Sequence, residues 1–297
     1  HGRSLGSQMI GGSPDLKKWI VNLDKDMLQA PFPYCYRCPY GKPKYSNCDK
    51  ECFNNFVKFL KSKNVDPAKN LAGVISETYQ GGNATFMPKI FAQLLRAFCT
   101  KNKALLVYDE VQAGFGRTGK MFGFQHYGIV PDLVCCGKGI SSSLPLSAVI
   151  GRTDIMDLYE PNTMTSTHTG NPVCAAAAIA SIDYIVKYKL TENAAKLGKL
   201  VEQELVKIAK KYPSIIGCVQ GKGLVYAVHI VKPGTKDPDA DLAHDIVGKA
   251  VEKGLMMFAP VGTGSASLKV SPPLTITAPA LIDSFKAFNE AIAECLS

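Results

Sequence analysis

The feature that most constrains this chain is a set of short apolar runs that do not alternate with polar residues. Residues 71–76, 104–108, 133–136 and 147–151 are four such runs, and residues 89–99 carry Ile90, Leu94, Leu95 and Phe98 at helical spacing. Unalternating runs of this length suit strands covered on both faces, which is the parallel-sheet case. Strand–helix–strand order then predicts an α/β unit. The 297 residues, 46% of them hydrophobic, supply enough core for two domains.

Past Asn171-Pro172 an alanine-rich helix is expected to about Tyr188. A second helix should open at Leu190-Thr191, with Thr191 as its N-cap and Leu197, Leu200, Val201, Leu205 and Ile208 on its inner face. Strands are expected over 224–230, 255–258 and 267–271. A helix is expected over 241–253, stopped by Gly254, and a last one from near Thr277 that buries Leu281, Phe285, Phe288, Ile292 and Leu296. These elements read as a smaller α+β domain, giving a division into 1–184 and 185–297.

The net charge of +9 is spread through helices and forms no block of like charge, so it describes a solvated surface and argues against nucleic-acid binding. No apolar stretch reaches membrane-spanning length. Several of the ten cysteines (Cys99, Cys135, Cys136, Cys174, Cys218) sit in apolar runs, as core thiols of a reducing, cytoplasmic compartment do. The chain opens on His-Gly-Arg, and a targeting segment ahead of it stays open.

Three of the expected strands deliver a polar group at the C-terminal end: Glu77, Asp109, and Lys138 within Gly137-Lys138-Gly139. In open parallel sheets the ligand crevice lies outside those ends, so the three groups should face one site. On position alone they read equally well as an ion pair or as a catalytic set.

The flanking residues are more specific. Asp109 sits in Tyr-Asp-Glu-Val-Gln-Ala-Gly-Phe-Gly-Arg-Thr-Gly (108–119), and Lys138 in Pro-Asp-Leu-Val-Cys-Cys-Gly-Lys-Gly (131–139). Thr-Ser-Thr-His-Thr-Gly-Asn-Pro follows at 165–172. From His1 to its end the chain resembles the class III aminotransferases, the family of γ-aminobutyrate, ornithine and acetylornithine aminotransferases. The resemblance implies a fold type I large domain with a mostly parallel sheet and a smaller C-terminal α+β domain. It also implies pyridoxal 5′-phosphate (PLP) as cofactor, held as a Schiff base on Lys138.

On this reading Asp109 keeps the pyridine nitrogen protonated so that the ring accepts carbanion electrons. Lys138 must be partly neutral to attack the aldehyde and then shuttle a proton, which burial encourages. By resemblance, Val111 packs on a ring face, Gln112 hydrogen-bonds the ring hydroxyl, and Thr167 reaches the phosphate in a neighbouring subunit of a homodimer. The expected partners are an amino donor and a 2-oxo acid acceptor. Racemase, aminomutase or decarboxylase chemistry on the same lysine is the alternative, as is an inactive fragment.

Three departures from the family pattern stand out. Lys269, in Ser-Leu-Lys-Val-Ser-Pro-Pro-Leu (267–274), takes the place of an arginine that grips α-carboxylates, and reads either as a weaker substitute or as a surface residue. The sequence Glu77-Thr-Tyr-Gln-Gly-Gly-Asn83 lacks the family's second, gating glutamate. The family's phosphate-cradling loop and ring-stacking aromatic lie ahead of the His-Gly pair, so the chain is expected to be N-terminally incomplete. Separately, Cys35, Cys38, Cys48 and Cys52 are spaced for a structural zinc site or for four free thiols, and the latter is the expectation adopted, with no metal.

Overall fold

The computed structural model describes residues 1–41, 48 and 50–297. A short helix, α1 (Leu5–Ile10), is followed by α2 (Glu51–Ser62) and then by the strands. The first sheet is built from β1 (Gly73–Glu77), β4 (Leu105–Asp109), β5 (Leu133–Cys136) and β6 (Ala148–Gly151), in that spatial order. β1, β4 and β5 are mutually parallel and β6 is antiparallel to β5. Between β1 and β4 come a two-residue hairpin, β2 (Tyr79–Gln80) with β3 (Thr85–Phe86), and the helix α3 (Lys89–Asn102).

The central strands are covered as their sequences require. Leu106 and Tyr108 are fully buried and pack with Phe91, Leu95 and Cys99 of α3 and Phe56 and Leu60 of α2. Val134 and Cys136 join Phe115, Ile140, Ala178 and Ile185 in a second cluster. The edges are barer than the unalternating sequence suggests: Ile75 is 39% exposed, and Val149 and Ile150 are each 50% exposed. An apolar run therefore marks a strand more securely than it marks two covered faces.

After α4 (Thr153–Met156) the chain enters α5 (Pro172–Lys187), where Asn171 caps the backbone N–H groups of Val173 and Cys174. α5 runs unbroken through residues 184 and 185, where the sequence reading divides the chain. Then α6 (Leu190–Lys211), α7 (Ala240–Glu252) and α8 (Ala278–Cys295) pack on an antiparallel sheet of β7 (Ile216–Lys222), β8 (Val225–Ile230) and β9 (Ser267–Val270). Every residue of β8 is buried. Val201 and Leu205 of α6, Ile246 of α7 and Phe288 and Ile292 of α8 close over it.

Several local expectations are corrected. The residues 255–258 form no strand: after Gly254, at φ +82°, the chain leaves α7 irregularly, with Met256 90% and Phe258 65% exposed. Thr191 is not the N-cap of α6, because left-handed Lys189 occupies that position while the Thr191 hydroxyl donates to Glu192. Leu296 lies past the end of α8 and is largely exposed. Among the elements that the sequence reading does not anticipate are α2 and β7. β7 contains Gly217 and Gly221, which weaken a strand pattern. Gly221 is required because a Cβ there would run into the backbone of Val225 and Tyr226.

Among the described residues no helix is long and apolar enough to cross a membrane. The four thiols Cys35, Cys38, Cys48 and Cys52 are free, and no described group of three or more His, Cys, Asp or Glu is arranged to hold a metal ion.

Candidate active site

The parallel register places the strand ends together. Glu77 is paired with Asp109, and Asp109 with Cys135, so the Gly137-Lys138 turn leaves β5 beside both carboxylates. An open cleft of about 1600 Å³ lies beyond these ends. Its walls include Glu77, Val111, Gln112, Arg117, Lys138 and Lys269. Basic groups outnumber acids on this wall, which suits an anionic ligand.

Lys138 follows an extended Gly137 and itself has φ +41°, an uncommon backbone for a side-chain-bearing residue and one that tends to mark functional sites. Gly137 sits close to Val111, since a Cβ there would stand 3.1 Å from Val111 Cγ1. That approach also shows Val111 lying against the lysine turn. Burial pulls the Lys138 ammonium below the ordinary lysine value, and Glu77 and Asp109 oppose the shift.

Asp109 is buried at 6% exposure. Its Oδ1 accepts the backbone N–H of Val111 at 3.0 Å, which fixes the carboxylate's direction. Its Oδ2 takes the amino group of His1, and the His1 Nδ1 lies 2.9 Å and 3.0 Å from the two oxygens. The adjacent Glu110 is fully buried and serves the fold, accepting the N–H groups of Gly123 and Phe124 at 2.8 Å each. Burial raises Glu110 to about 7 and also pushes Glu77 upward, the latter opposed by the Gly81 N–H.

Sequence reasoning left Lys269 between two roles, and the structure removes one: it is 8% exposed, so it is not a surface residue. Its Nζ donates to Gly81 O at 2.5 Å and to Gln112 Oε1 at 2.9 Å. Burial lowers it to about 8, with Glu77 opposing and Lys138 and Arg117 adding to the shift. Arg117 was passed over in the sequence although it lies inside the quoted motif. It is held by Leu224 O at 2.9 Å and Pro272 O at 2.5 Å, joining the cleft loop to the second sheet. At Gly82 the Gly262 backbone comes close, 3.0 Å from where a Cβ would stand.

Thr167 is not brought to this cleft; it is exposed in a turn. Val111, Gln112 and Lys138 line the cleft, and Asp109 lies buried at the neighbouring strand end.

The site thus joins a buried acid at one strand end, a solvent-reaching lysine of lowered basicity one strand over, and a wide basic cleft. The family model "Aminotransferase class-III" matches residues 1–292. The chain belongs to the class III aminotransferases, whose cofactor is PLP. It is 35% identical to a leucine/methionine racemase of Thermococcus litoralis, over 99% of this chain and 65% of that protein. It is 36% identical to a 4-aminobutyrate aminotransferase of Mycobacterium leprae, over 99% and 66%. A PLP-bound amine transaminase from an uncultivated Pseudomonas species superposes with TM-score 0.91 at 28% identity, covering 99% of this chain and 68% of that one. The chain thus spans just under two thirds of the length of these two curated relatives.

The residues present fit the ring of the cofactor. The observation that decides this is Asp109, a buried carboxylate aimed by the Val111 N–H at the strand end next to the Lys138 turn.

Proposed function

We propose that the protein of which this chain forms part is a PLP-dependent aminotransferase that moves an amino group from an amine or amino acid to a 2-oxo acid. The carrying observation is the convergence of Asp109 and Lys138 at adjacent parallel strand ends beside one cleft. Bound there, PLP supplies an aldehyde for the amine and an electron-accepting ring. Lys138, kept less basic by burial, is the group that holds and releases the proton at its Nζ. Asp109, pinned by the Val111 N–H, holds a proton on the ring nitrogen. Val111 and Gln112 line the same cleft and would hold the cofactor there, Val111 against a ring face and Gln112 through its amide to the ring hydroxyl.

Thr167 acts in a neighbouring subunit on this reading. Its exposure supports that, as do the bare apolar side chains around it: Met164 at 71%, Val173 at 67% and Ile179 at 63%. A homodimer would cover them. The free state of all ten cysteines supports a reducing, cytoplasmic setting.

The racemase relative favours one other reading, in which the proton returns to the opposite face of the substrate carbon. The test is incubation of the full-length protein and PLP with amines and L-amino acids, with and without 2-oxo acids. Transfer requires that an acceptor gain the amino group. Loss of chirality without an acceptor, and no transfer, would replace aminotransferase by racemase.

A further inference from the structure

Lys269 lines the cleft, and what it binds there is this protein's own Gln112. An ammonium has three donors and no acceptor, so the atom of Gln112 that faces it at 2.9 Å must be the carboxamide oxygen. The amide nitrogen is thereby turned away from Lys269, on a residue that lines the cleft. A second donor of Lys269 is taken by Gly81 O at 2.5 Å. The Glu77 Oε2 in turn accepts the Gly81 N–H at 3.1 Å. Carboxylate, backbone, ammonium and carboxamide form one continuous chain of bonds from the strand end to Gln112.

The packing around it is tight. A side chain at Gly81 would collide with Gln112 Oε1 and would stand 3.1 Å from Glu77 Oε1. Tyr79, 1% exposed, forms a floor with its ring centroid 5.7 Å from the Lys269 Nζ. With two of its three donors committed to Gly81 and Gln112 and only 8% of its surface exposed, Lys269 is better placed to hold Gln112 than to serve as the carboxylate clamp that its position in the sequence suggests.

We propose that Lys269 is a positioning residue that locks the Gln112 carboxamide with its oxygen inward, so that Gln112 presents N–H alone to the ring hydroxyl of PLP. The inference rests on the cofactor reading above and adds a residue to it. A carboxamide without the lock can turn over and present its oxygen, which would set two acceptors against each other when the ring hydroxyl is ionised.

The test uses the full-length protein with bound PLP and the variants Lys269→Met, Gln112→Ala and their combination. The readouts are the pH midpoint of the cofactor's absorption change and, in the cofactor-free protein, the side-chain amide signals of 15N-labelled glutamine. Lys269→Met should move the midpoint by about half to one pH unit, the scale of one hydrogen bond. Gln112→Ala should move it similarly, and the combination should go little further. Lys269→Arg, also donor-only, should recover part of the shift, which a purely structural role would not give. The Gln112 amide signal should change on Lys269→Met. Unchanged midpoint and amide signal, or fully additive shifts, would overturn the proposal. A wild-type protein that takes up no PLP would overturn the cofactor reading instead, and the amide signal alone would still decide whether Lys269 orients Gln112.

Discussion

Two buried titratable groups show how local environment sets a residue's task. Asp109 is aimed by a single backbone N–H and keeps its second oxygen for the site, whereas Glu110, one residue on, is spent on two loop N–H groups. Asp109→Asn keeps the shape and removes the charge. It should lower turnover by about 100-fold or more while leaving Lys138 open to covalent modification, as removal of one preorganised electrostatic group does. Steady-state kinetics and mass mapping read both; unchanged turnover would remove Asp109 from the chemistry.

His229, 2% exposed, sits among Asn83, Ser267 and Tyr34, and burial lowers it to about 4. Its Nε2 faces Asn83 O at 3.2 Å, while Nδ1 faces the Ser267 hydroxyl at 3.0 Å and the Tyr34 hydroxyl at 3.3 Å. The folded value lies below the unfolded one, so between them the unfolded chain binds more protons. Stability from this group is intact above the ordinary histidine range and falls as pH drops from there toward about 4, by up to about 3 kcal/mol. Urea midpoints at pH 5 and pH 7 should converge in His229→Gln. An equal pH dependence in wild type and variant would contradict the assignment.

At the scale of elements, α6 offers a case where two effects compete. Replacing a helix-interior glycine by alanine ordinarily stabilises by about 1 kcal/mol. At Gly198, however, a Cβ would stand 2.5–2.8 Å from the backbone of Gly223, in the turn joining β7 and β8. Backbone cannot step aside as a side-chain tip can, so overpacking should win and Gly198→Ala should destabilise by about 1–3 kcal/mol. A raised melting temperature would show that the helix retreats freely.

The same elements show what could be read in advance. β4, β5 and the C-terminal helices were legible because their apolar periods are set by burial on known faces. The Leu255–Phe258 run was not, because four apolar residues say nothing of whether a neighbouring strand exists to pair with, and here Met256 points into solvent. Glu77, Asp109 and Lys138 could be placed together from strand order alone. Lys269 could not be assigned, because its partners Gly81 and Gln112 are far from it in sequence and meet it through the packing of the two sheets.

For the whole molecule, the first sheet and its cleft are assembled while α5 remains more exposed than its apolar composition would suggest, with Val173 at 67% and Ile179 at 63%. Surfaces of that size are ordinarily covered by a partner. Sedimentation of the full-length protein should give a dimer, and a charge introduced at Ile179 should weaken it; a monomer at micromolar concentration would refute the neighbouring-subunit role of Thr167. The central claim is that Lys138 captures the cofactor's aldehyde. Its most direct measurement is borohydride reduction of the PLP-treated full-length protein followed by peptide mapping. A phosphopyridoxyl group on Lys138, absent in Lys138→Ala, is the result expected. Label on another lysine, or none, would contradict the account.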